Sequence, residues 1–153
     1  MCLAGIVITD HIVPPIVDFS RASAETLMFK PAPECVLRGA PVHTARNLFS
    51  DGTGRFRAGV WQSTPGRWRV RHAEFEFCHI TRGRVTIEAG NGRRWQFGPG
   101  DSLVIPAGFE GTWTVWESLS RLYVAYRPCD PRLCQSSAWL GTPCTNQGHS
   151  EAP

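Results

Sequence analysis

The sequence predicts an all-β fold, an antiparallel sandwich or barrel, and three observations lead to that prediction. Between residues 54 and 128, runs of β-branched and aromatic residues recur at short intervals. Residues that favour turns, mainly glycine, proline, asparagine and aspartate, separate these runs. No part of this region shows the periodicity of an amphipathic helix. The strands are therefore expected to pack on one another and not on helices.

The predicted strands follow one another with only short turns between them. Gly90-Asn91-Gly92 has the composition of a tight hairpin turn. Gly98-Pro99-Gly100-Asp101 and Pro106-Ala107-Gly108 also favour turns. In chain order, the predicted strands are residues 56–62, 67–80, 84–89, 93–97, 102–105, 112–117 and 122–126.

Three zones of the chain differ in composition. Residues 1–53 are predicted to form an N-terminal arm with a short strand or two, because Pro14-Pro15 and Pro31-Ala32-Pro33 interrupt any long element. Residues 54–128 form the predicted barrel. Residues 129–153 contain cysteine, proline and serine with little periodicity, and they are predicted to form a disordered tail.

Composition and charge exclude several classes of function. Apolar residues make up 42% of the 153-residue chain, which suffices for one domain with a buried core. No apolar run approaches the roughly 20 residues that a membrane helix needs. The net charge is +3, and the basic residues, all arginine except Lys30, are too dispersed for a nucleic-acid-binding patch. Residues 1–8 are apolar but lack the basic region and cleavage site of a signal peptide, which favours a cytoplasmic protein.

The six cysteines are scattered along the chain. With no secretion signal, free thiols are expected in place of a disulfide framework. Cys129, Cys134 and Cys144, with His149, would supply zinc ligands, but their spacing matches no compact zinc motif. Cys78 is expected to be a small core residue.

Two segments of the predicted barrel resemble the two motifs of the cupin superfamily. Residues 66–83 resemble the first motif, which runs from a glycine through His-x-His and a glutamate to a second glycine. Residues 100–108 resemble the start of the second motif, in which Gly and Pro-x-Gly precede a histidine and an asparagine. A predicted hairpin lies between them, as it does in cupins. The resemblance covers about residues 55–128 and implies a jelly-roll β-barrel.

Within the superfamily, the sequence is most similar to small cupins of the ureidoglycine aminohydrolase-like and ethanolamine-utilisation-like subgroup. The residues that carry this similarity are 76–79 followed by Gly83, then 100–101, 105–109 and 111–113. It implies a homodimer in which the N-terminal arm pairs with the neighbouring subunit. It also implies a small nitrogen-containing or carboxylated metabolite as the ligand. Because this fold hosts many chemistries, the resemblance predicts the fold more firmly than the function.

The metal ligands that the resemblance implies are only partly present. Counting back from Gly83, Glu76 takes the place of the motif glutamate and His72 that of the second histidine. The first histidine falls on Val70, and the histidine of the second motif falls on Gly111. His72 and Glu76 are thus the candidate ligands for a divalent metal such as Mn, Fe, Ni or Zn.

A second alignment of the first motif counts forward from Gly66. His72 and Glu74 then take the two histidine places, and His79 takes that of the glutamate. Side chains alternate along a strand, so His79 would point away from the other two unless a bulge intervenes. Gly83 would also come too early, and the subgroup resemblance favours the first alignment.

Alternation along the strand places His72, Glu74 and Glu76 on one face, where they are candidate catalytic acid–base groups. Trp113 and Tyr123, with Trp61, are candidate ligand-binding residues, because each combines an aromatic body with a polar tip. Three interpretations stay open. The acidic face pairs with arginines, it lines a metal-free ligand-binding interior, or it holds a metal. The arginines considered for such pairing are Arg67, Arg69, Arg71 and Arg121.

The function predicted from these residues is the binding of a small polar metabolite inside the barrel. A hydrolase-like or lyase-like enzyme with a degenerate metal site is one form of this hypothesis. The alternative is a non-catalytic ligand-binding or regulatory module. If Trp113 points inward beside Gly111, its ring fills part of the volume that a metal site needs.

Overall fold

The computed structural model describes residues 13–128 of the chain. These residues form eleven strands and one short 3₁₀ turn, Pro33–Cys35. The strands are β1 (Leu27–Phe29), β2 (Val36–Arg38), β3 (His43–Ser50), β4 (Phe56–Ser63), β5 (Gly66–Arg71), β6 (Phe75–Arg82), β7 (Val85–Ala89), β8 (Arg94–Phe97), β9 (Ser102–Ile105), β10 (Glu110–Val115) and β11 (Leu119–Tyr126).

The strands form two antiparallel sheets, and the predicted jelly-roll barrel is confirmed. One sheet has six strands in the order β1-β3-β4-β11-β6-β9, and the other has five in the order β2-β5-β10-β7-β8. From β4 onward, successive strands alternate between the sheets except for the hairpin β7–β8, so both sheets face a common interior. Within residues 13–128, no helix is long and apolar enough to cross a membrane.

One predicted strand is two strands in the structure. Residues 67–80 were expected to be continuous, but β5 ends at Arg71 and β6 begins at Phe75 in the other sheet. The break occurs because His72 makes its backbone bonds to a turn: its N–H donates to Phe109 O at 2.9 Å, and its carbonyl accepts from Gly108 N at 2.7 Å. Gly108 has φ +85°, which a side chain would disfavour. The alternation of polar and apolar residues continues from β5 through this crossover into β6. The sequence pattern therefore does not show that one strand ends and another begins here.

The N-terminal segment contributes more structure than a short strand or two. It holds three strands, and the eight-residue β3 pairs with β4 along most of its length. Pro31 and Pro33 fall between β1 and β2, so they interrupt no strand. The predicted 129–153 tail, with its candidate zinc ligands, lies outside the described residues.

The two described cysteines differ in state. Cys35 is buried and disulfide-bonded, so the expectation of free thiols is wrong for this residue. Cys78 is a free thiol with no exposed surface, and its predicted place in the core is confirmed.

Three buried tryptophans form the centre of the interior. Trp68 on β5 and Trp113 on β10 are cross-strand partners, and their ring centroids lie 6.4 Å apart. Trp61, from the opposite sheet, meets Trp113 edge to face at 5.9 Å. All three are at most 2% exposed. Because large aromatic rings dominate core burial, this cluster joins the two sheets and closes the barrel on one side of the site.

Candidate functional site

A cavity of about 660 Å³ opens into the barrel along the inner face of the six-stranded sheet. This volume is in the usual range for sites that bind small molecules. Its walls come from the inward-facing residues of β1, β3, β4, β6 and β11 and from the segments beside them. The lining residues are Ala24, Glu25, Leu27, Ala45, Asn47, Ser50, Gly54, Arg57, Trp61, Glu74, Glu76, Arg121, Tyr123 and Arg127.

A buried ion pair forms the floor of the cavity. Arg121 on β11 and Glu76 on β6 have side chains no more than 1% exposed, and Arg121 Nη1 contacts Glu76 Oε1. Cys78 joins the pair: its thiol donates to Glu76 Oε1 at 3.0 Å and accepts a hydrogen bond from Arg121 Nη1. Burial raises the pKa of the Cys78 thiol, so the sulfur remains protonated at neutral pH.

Aromatic rings hold the Arg121 guanidinium in place. Its Cζ lies 4.6 Å from the ring centroid of Trp61 and 5.0 Å from that of Trp113. A desolvated cation over such ring faces is stabilised by their quadrupoles. Burial lowers the pKa of Arg121 to about 9, which leaves the group charged at neutral pH. The floor of the barrel therefore carries a charged ion pair whose guanidinium is held in place by aromatic rings.

A second set of charges lies at the mouth. Glu74, whose side chain is 6% exposed, accepts from Arg57 Nη2 at 2.6 Å and pairs with Arg127 Nη2 at 2.8 Å through its other oxygen. The side chains of Arg57 and Arg127 are 20% and 48% exposed, so this cluster runs from the interior to solvent. One carboxylate thus lies between two guanidinium groups.

Tyr123 lies on the cavity wall between the floor and the mouth. Its hydroxyl is 3.2 Å from the side-chain amide of Asn47 on β3. Burial raises the pKa of Tyr123, with smaller opposing effects from Arg57 and Arg121. The hydroxyl is therefore neutral at physiological pH and can both donate and accept a hydrogen bond.

His72 lies behind the cavity and not on its surface. Its Nδ1 is 3.9 Å from Glu76 Oε2, and its ring stacks on Trp113 at 6.2 Å and packs against Phe109 at the same distance. Burial, with a smaller effect from Arg121, lowers the pKa of His72 to about 3. At neutral pH the imidazole is uncharged, so its approach to Glu76 is not an ion pair.

The structure brings most of the sequence-predicted site residues together, in two groups. Glu74, Glu76, Trp61 and Tyr123 line the cavity. His72 and Trp113 are buried beside its floor, and neither is a lining residue. His79 lies apart: it is on the opposite face of β6 from Glu76, and its Nδ1 is 2.9 Å from Ser102 Oγ.

Sequence reasoning missed the arginines at the mouth. Arg57 lies on β4 in the same alternating series as Trp61, and Arg127 follows β11 in the same series as Arg121 and Tyr123. Alternation alone would have placed both on the inner face. Alternation does not predict that Asn47 lines the cavity, because β3 has a register shift between Asn47 and Phe49.

Comparison with known proteins identifies the fold. Residues 50–123 match the family model described as the EutQ-like cupin domain. The fold of these residues is the cupin-type jelly roll. The match includes both cupin motifs that the sequence resembles, and it supports the cupin superfamily more broadly than any one subgroup.

Solved structures share this cupin fold. A DUF861-family protein of unknown function from Pseudomonas syringae pv. tomato is 27% identical with a TM-score of 0.61, and the match covers 67% of this chain and 44% of that protein. This chain therefore matches less than half of the length of the Pseudomonas protein. The EutQ protein of Clostridium difficile is 19% identical with a TM-score of 0.52, covering 65% and 81% of the two chains.

A putative ethanolamine utilization protein from Salmonella typhimurium is 15% identical to this chain with a TM-score of 0.51. The match covers 69% of this chain and 98% of that one. The likeness to these two ethanolamine-utilisation proteins is one of fold. No curated protein matches the chain.

The donor set of this cupin does not fit a metal ion. Val70 and Gly111, at two of the four ligand positions of metal-binding cupins, are directly opposite each other on β5 and β10 and have no ligating atoms. A Cβ at Gly111 would lie 2.3 Å from Glu88 O and 2.9 Å from the Phe109 ring, so no larger side chain fits there. Within residues 13–128, no three histidine, cysteine, aspartate or glutamate side chains are grouped for metal binding.

Proposed function

We propose that this cupin binds a small polar metabolite in its barrel without a metal cofactor. The observation that carries the proposal is the Arg121–Glu76 ion pair at the floor of the 660 Å³ cavity. In a metal-binding cupin the motif glutamate is a ligand of the ion. Here the guanidinium of Arg121 neutralises that glutamate.

The surroundings of the carboxylates favour binding over catalysis. A general base needs a carboxylate or imidazole within reach of the substrate. Glu76 is ion-paired with Arg121, and Glu74 is ion-paired with Arg57 and Arg127. His72 is neutral but lies outside the cavity lining. The arrangement supplies fixed charges and hydrogen-bond donors, which suit recognition and orientation of a ligand.

One contact supports an enzyme as the second candidate. Glu76 reaches the cavity and also lies 3.9 Å from His72 Nδ1, so the two could exchange a proton through a small movement. An enzyme of this kind would use Glu76 as the group in contact with substrate and His72 as its positioning partner. A turnover assay on an identified ligand, with Glu76→Gln compared to the native protein, separates the two candidates.

The first experiment measures metal content. Protein purified without chelators is analysed for Mn, Fe, Ni and Zn, before and after incubation with each ion. We expect far less than one metal per chain. Stoichiometric metal that disappears in Glu76→Ala would contradict the proposal.

The second experiment tests the cavity itself. A metabolite library is screened by thermal shift in the presence of a chelator, and hits are confirmed by the change in intrinsic tryptophan fluorescence. Ala45→Phe places a ring in the cavity and should abolish binding of every hit. Gln62→Phe, at an exposed site on the adjacent strand, is the matched control and should bind normally. Hits that bind both variants equally would place the ligand elsewhere.

A further inference from the structure

We infer that the ligand of the cavity is a small organic carboxylate, and that Arg127 and Arg57 bind its carboxylate at the mouth. This inference rests on the proposed function, because it names the ligand class for the same cavity. Three observations carry it: the ratio of donors to acceptors, the geometry around Glu74, and the position of Arg127 between the interior and solvent.

Hydrogen-bond donors outnumber acceptors on the charged side chains that line the cavity from its mouth to its floor. Each guanidinium has five N–H donors and no acceptor. Three arginines line the cavity: Arg57, Arg121 and Arg127. Of the three lining carboxylates, Glu74 and Glu76 are already ion-paired, and Glu25 is exposed to solvent. A ligand that enters this space satisfies donors only if it has acceptor oxygens. A cationic ligand would have to displace a guanidinium from a carboxylate.

Glu74 shows which anion fits between the arginines. Its two oxygens take one guanidinium each, Oε2 from Arg57 at 2.6 Å and Oε1 from Arg127 at 2.8 Å. The two side chains thus already have the spacing that a planar carboxylate requires. Of the two, Arg127 has the more exposed side chain, 48% against 20% for Arg57, and it contacts Glu74 through Nη2. Arg127 is therefore the guanidinium that a ligand entering from solvent meets first.

The walls define the rest of the ligand. Trp61 and Tyr123 provide aromatic surface between the mouth and the floor. An organic acid with an apolar or aromatic body would contact these rings while its carboxylate stays near Arg127. The opposing charge at the mouth is Glu25, an exposed residue of the N-terminal segment, where solvent screens its repulsion.

The test uses three probes of one shape and different charge: phenylacetate, phenylacetamide and phenethylamine. Binding is measured by calorimetry at low ionic strength on the full chain. We expect phenylacetate to bind most tightly. Arg127→Gln should weaken its binding about tenfold or more, the usual cost of a charge-assisted hydrogen bond. Glu74→Gln should strengthen its binding, because the competing carboxylate is gone.

If the cavity binds cations, the effects of both substitutions on affinity are reversed. Phenethylamine then binds best, Arg127→Gln strengthens its binding, and Glu74→Gln weakens it. That outcome would overturn the inference and leave the proposed function intact. Failure of all three probes to bind would also overturn it, whereas the library screen with Ala45→Phe still tests the cavity. Arg127 is half-exposed, so its variant should fold even if Glu74→Gln does not. Arg93 is an exposed arginine that does not line the cavity. Arg93→Gln is therefore the control and should leave all affinities unchanged.

Discussion

Arg121 shows how one residue changes the chemistry of a common site. A guanidinium with 1% exposure is tolerated because Glu76 supplies the opposite charge and two tryptophan faces supply cation–π contacts. Such buried pairs add little net stability, yet removing one partner leaves an uncompensated charge and costs about 3–5 kcal/mol. Arg121 and Glu76 therefore depend on each other. A substitution at either position acts on the fold as well as on the ligand.

The buried histidines make stability depend on pH. Burial, with a smaller effect from Arg121, lowers the pKa of His43 to about 4 and that of His72 to about 3, from an ordinary value of 6.5. Below about pH 6.5 the unfolded chain binds protons that the folded chain does not. Stability is therefore complete above that pH and falls as the pH drops toward the folded pKa values.

We expect the free energy of unfolding to fall by up to about 1.4 kcal/mol per pH unit for each histidine between pH 6 and pH 4. Urea unfolding at several pH values measures this slope. The variant His72→Asn should remove one histidine's share of it. Gln62→Asn, at an exposed site that carries no ionisable group, is the control and should leave the slope unchanged. An identical slope in the native protein and His72→Asn would contradict the assignment.

At the scale of single elements, the packing around β10 explains why a glycine stands at the histidine position of the second motif. Gly111 lies between β5 and β7, with Val70 and Ala89 as its cross-strand partners. The Phe109 ring, from the turn bonded to His72, occupies the space that a side chain at Gly111 would need. The glycine, the aromatic ring and the neutral histidine therefore form one packed unit.

This packing predicts a large cost for a single methyl group at that position. Gly111→Ala places a Cβ 2.3 Å from the backbone oxygen of Glu88, which must then move. We expect a loss of about 1–3 kcal/mol or more in the free energy of unfolding, the usual effect of overpacking. Gly90→Ala is the matched control, since a Cβ there meets nothing within 4 Å. Equal stability of the two variants in urea would show that the strand adjusts freely.

The same elements show what could be read from the sequence. Turn residues and alternation predicted β4, β7, β8 and β9 with nearly correct ends, because both signals are local. The crossover at His72 was missed, since its cause is a hydrogen bond to Phe109, distant in sequence. For the cavity, alternation indicated Glu74 and Glu76, and the combination of an aromatic body with a polar tip indicated Tyr123. The pairing of Glu76 with Arg121 depends on which strands become neighbours, and one sequence does not contain that information.

At the scale of the whole molecule, the outer face of the six-stranded sheet is unusually apolar. Phe77 on β6 is 45% exposed, and its cross-strand partners are Val104 on β9, 64% exposed, and Val124 on β11. Beside them, Phe75 and Tyr126 are also partners, with exposures of 43% and 46%. Contiguous apolar surface of this kind marks an interaction site in a folded protein.

We propose that a second copy of the chain covers this face. The sequence resemblance also implies a homodimer, but one that forms through the N-terminal arm, so the two proposals differ in the surface that is buried. A two-fold dimer buries the same patch on both subunits, so one substitution changes the interface twice. The native chain is expected to behave as a dimer in light scattering coupled to size exclusion, and Phe77→Glu as a folded monomer. Thr112→Glu, on the outer face of the five-stranded sheet, should remain dimeric. A native monomer, or a dimer insensitive to Phe77→Glu, would assign this face to another partner. The cavity opens on the inner side of the same sheet, so ligand affinity should survive the loss of the dimer.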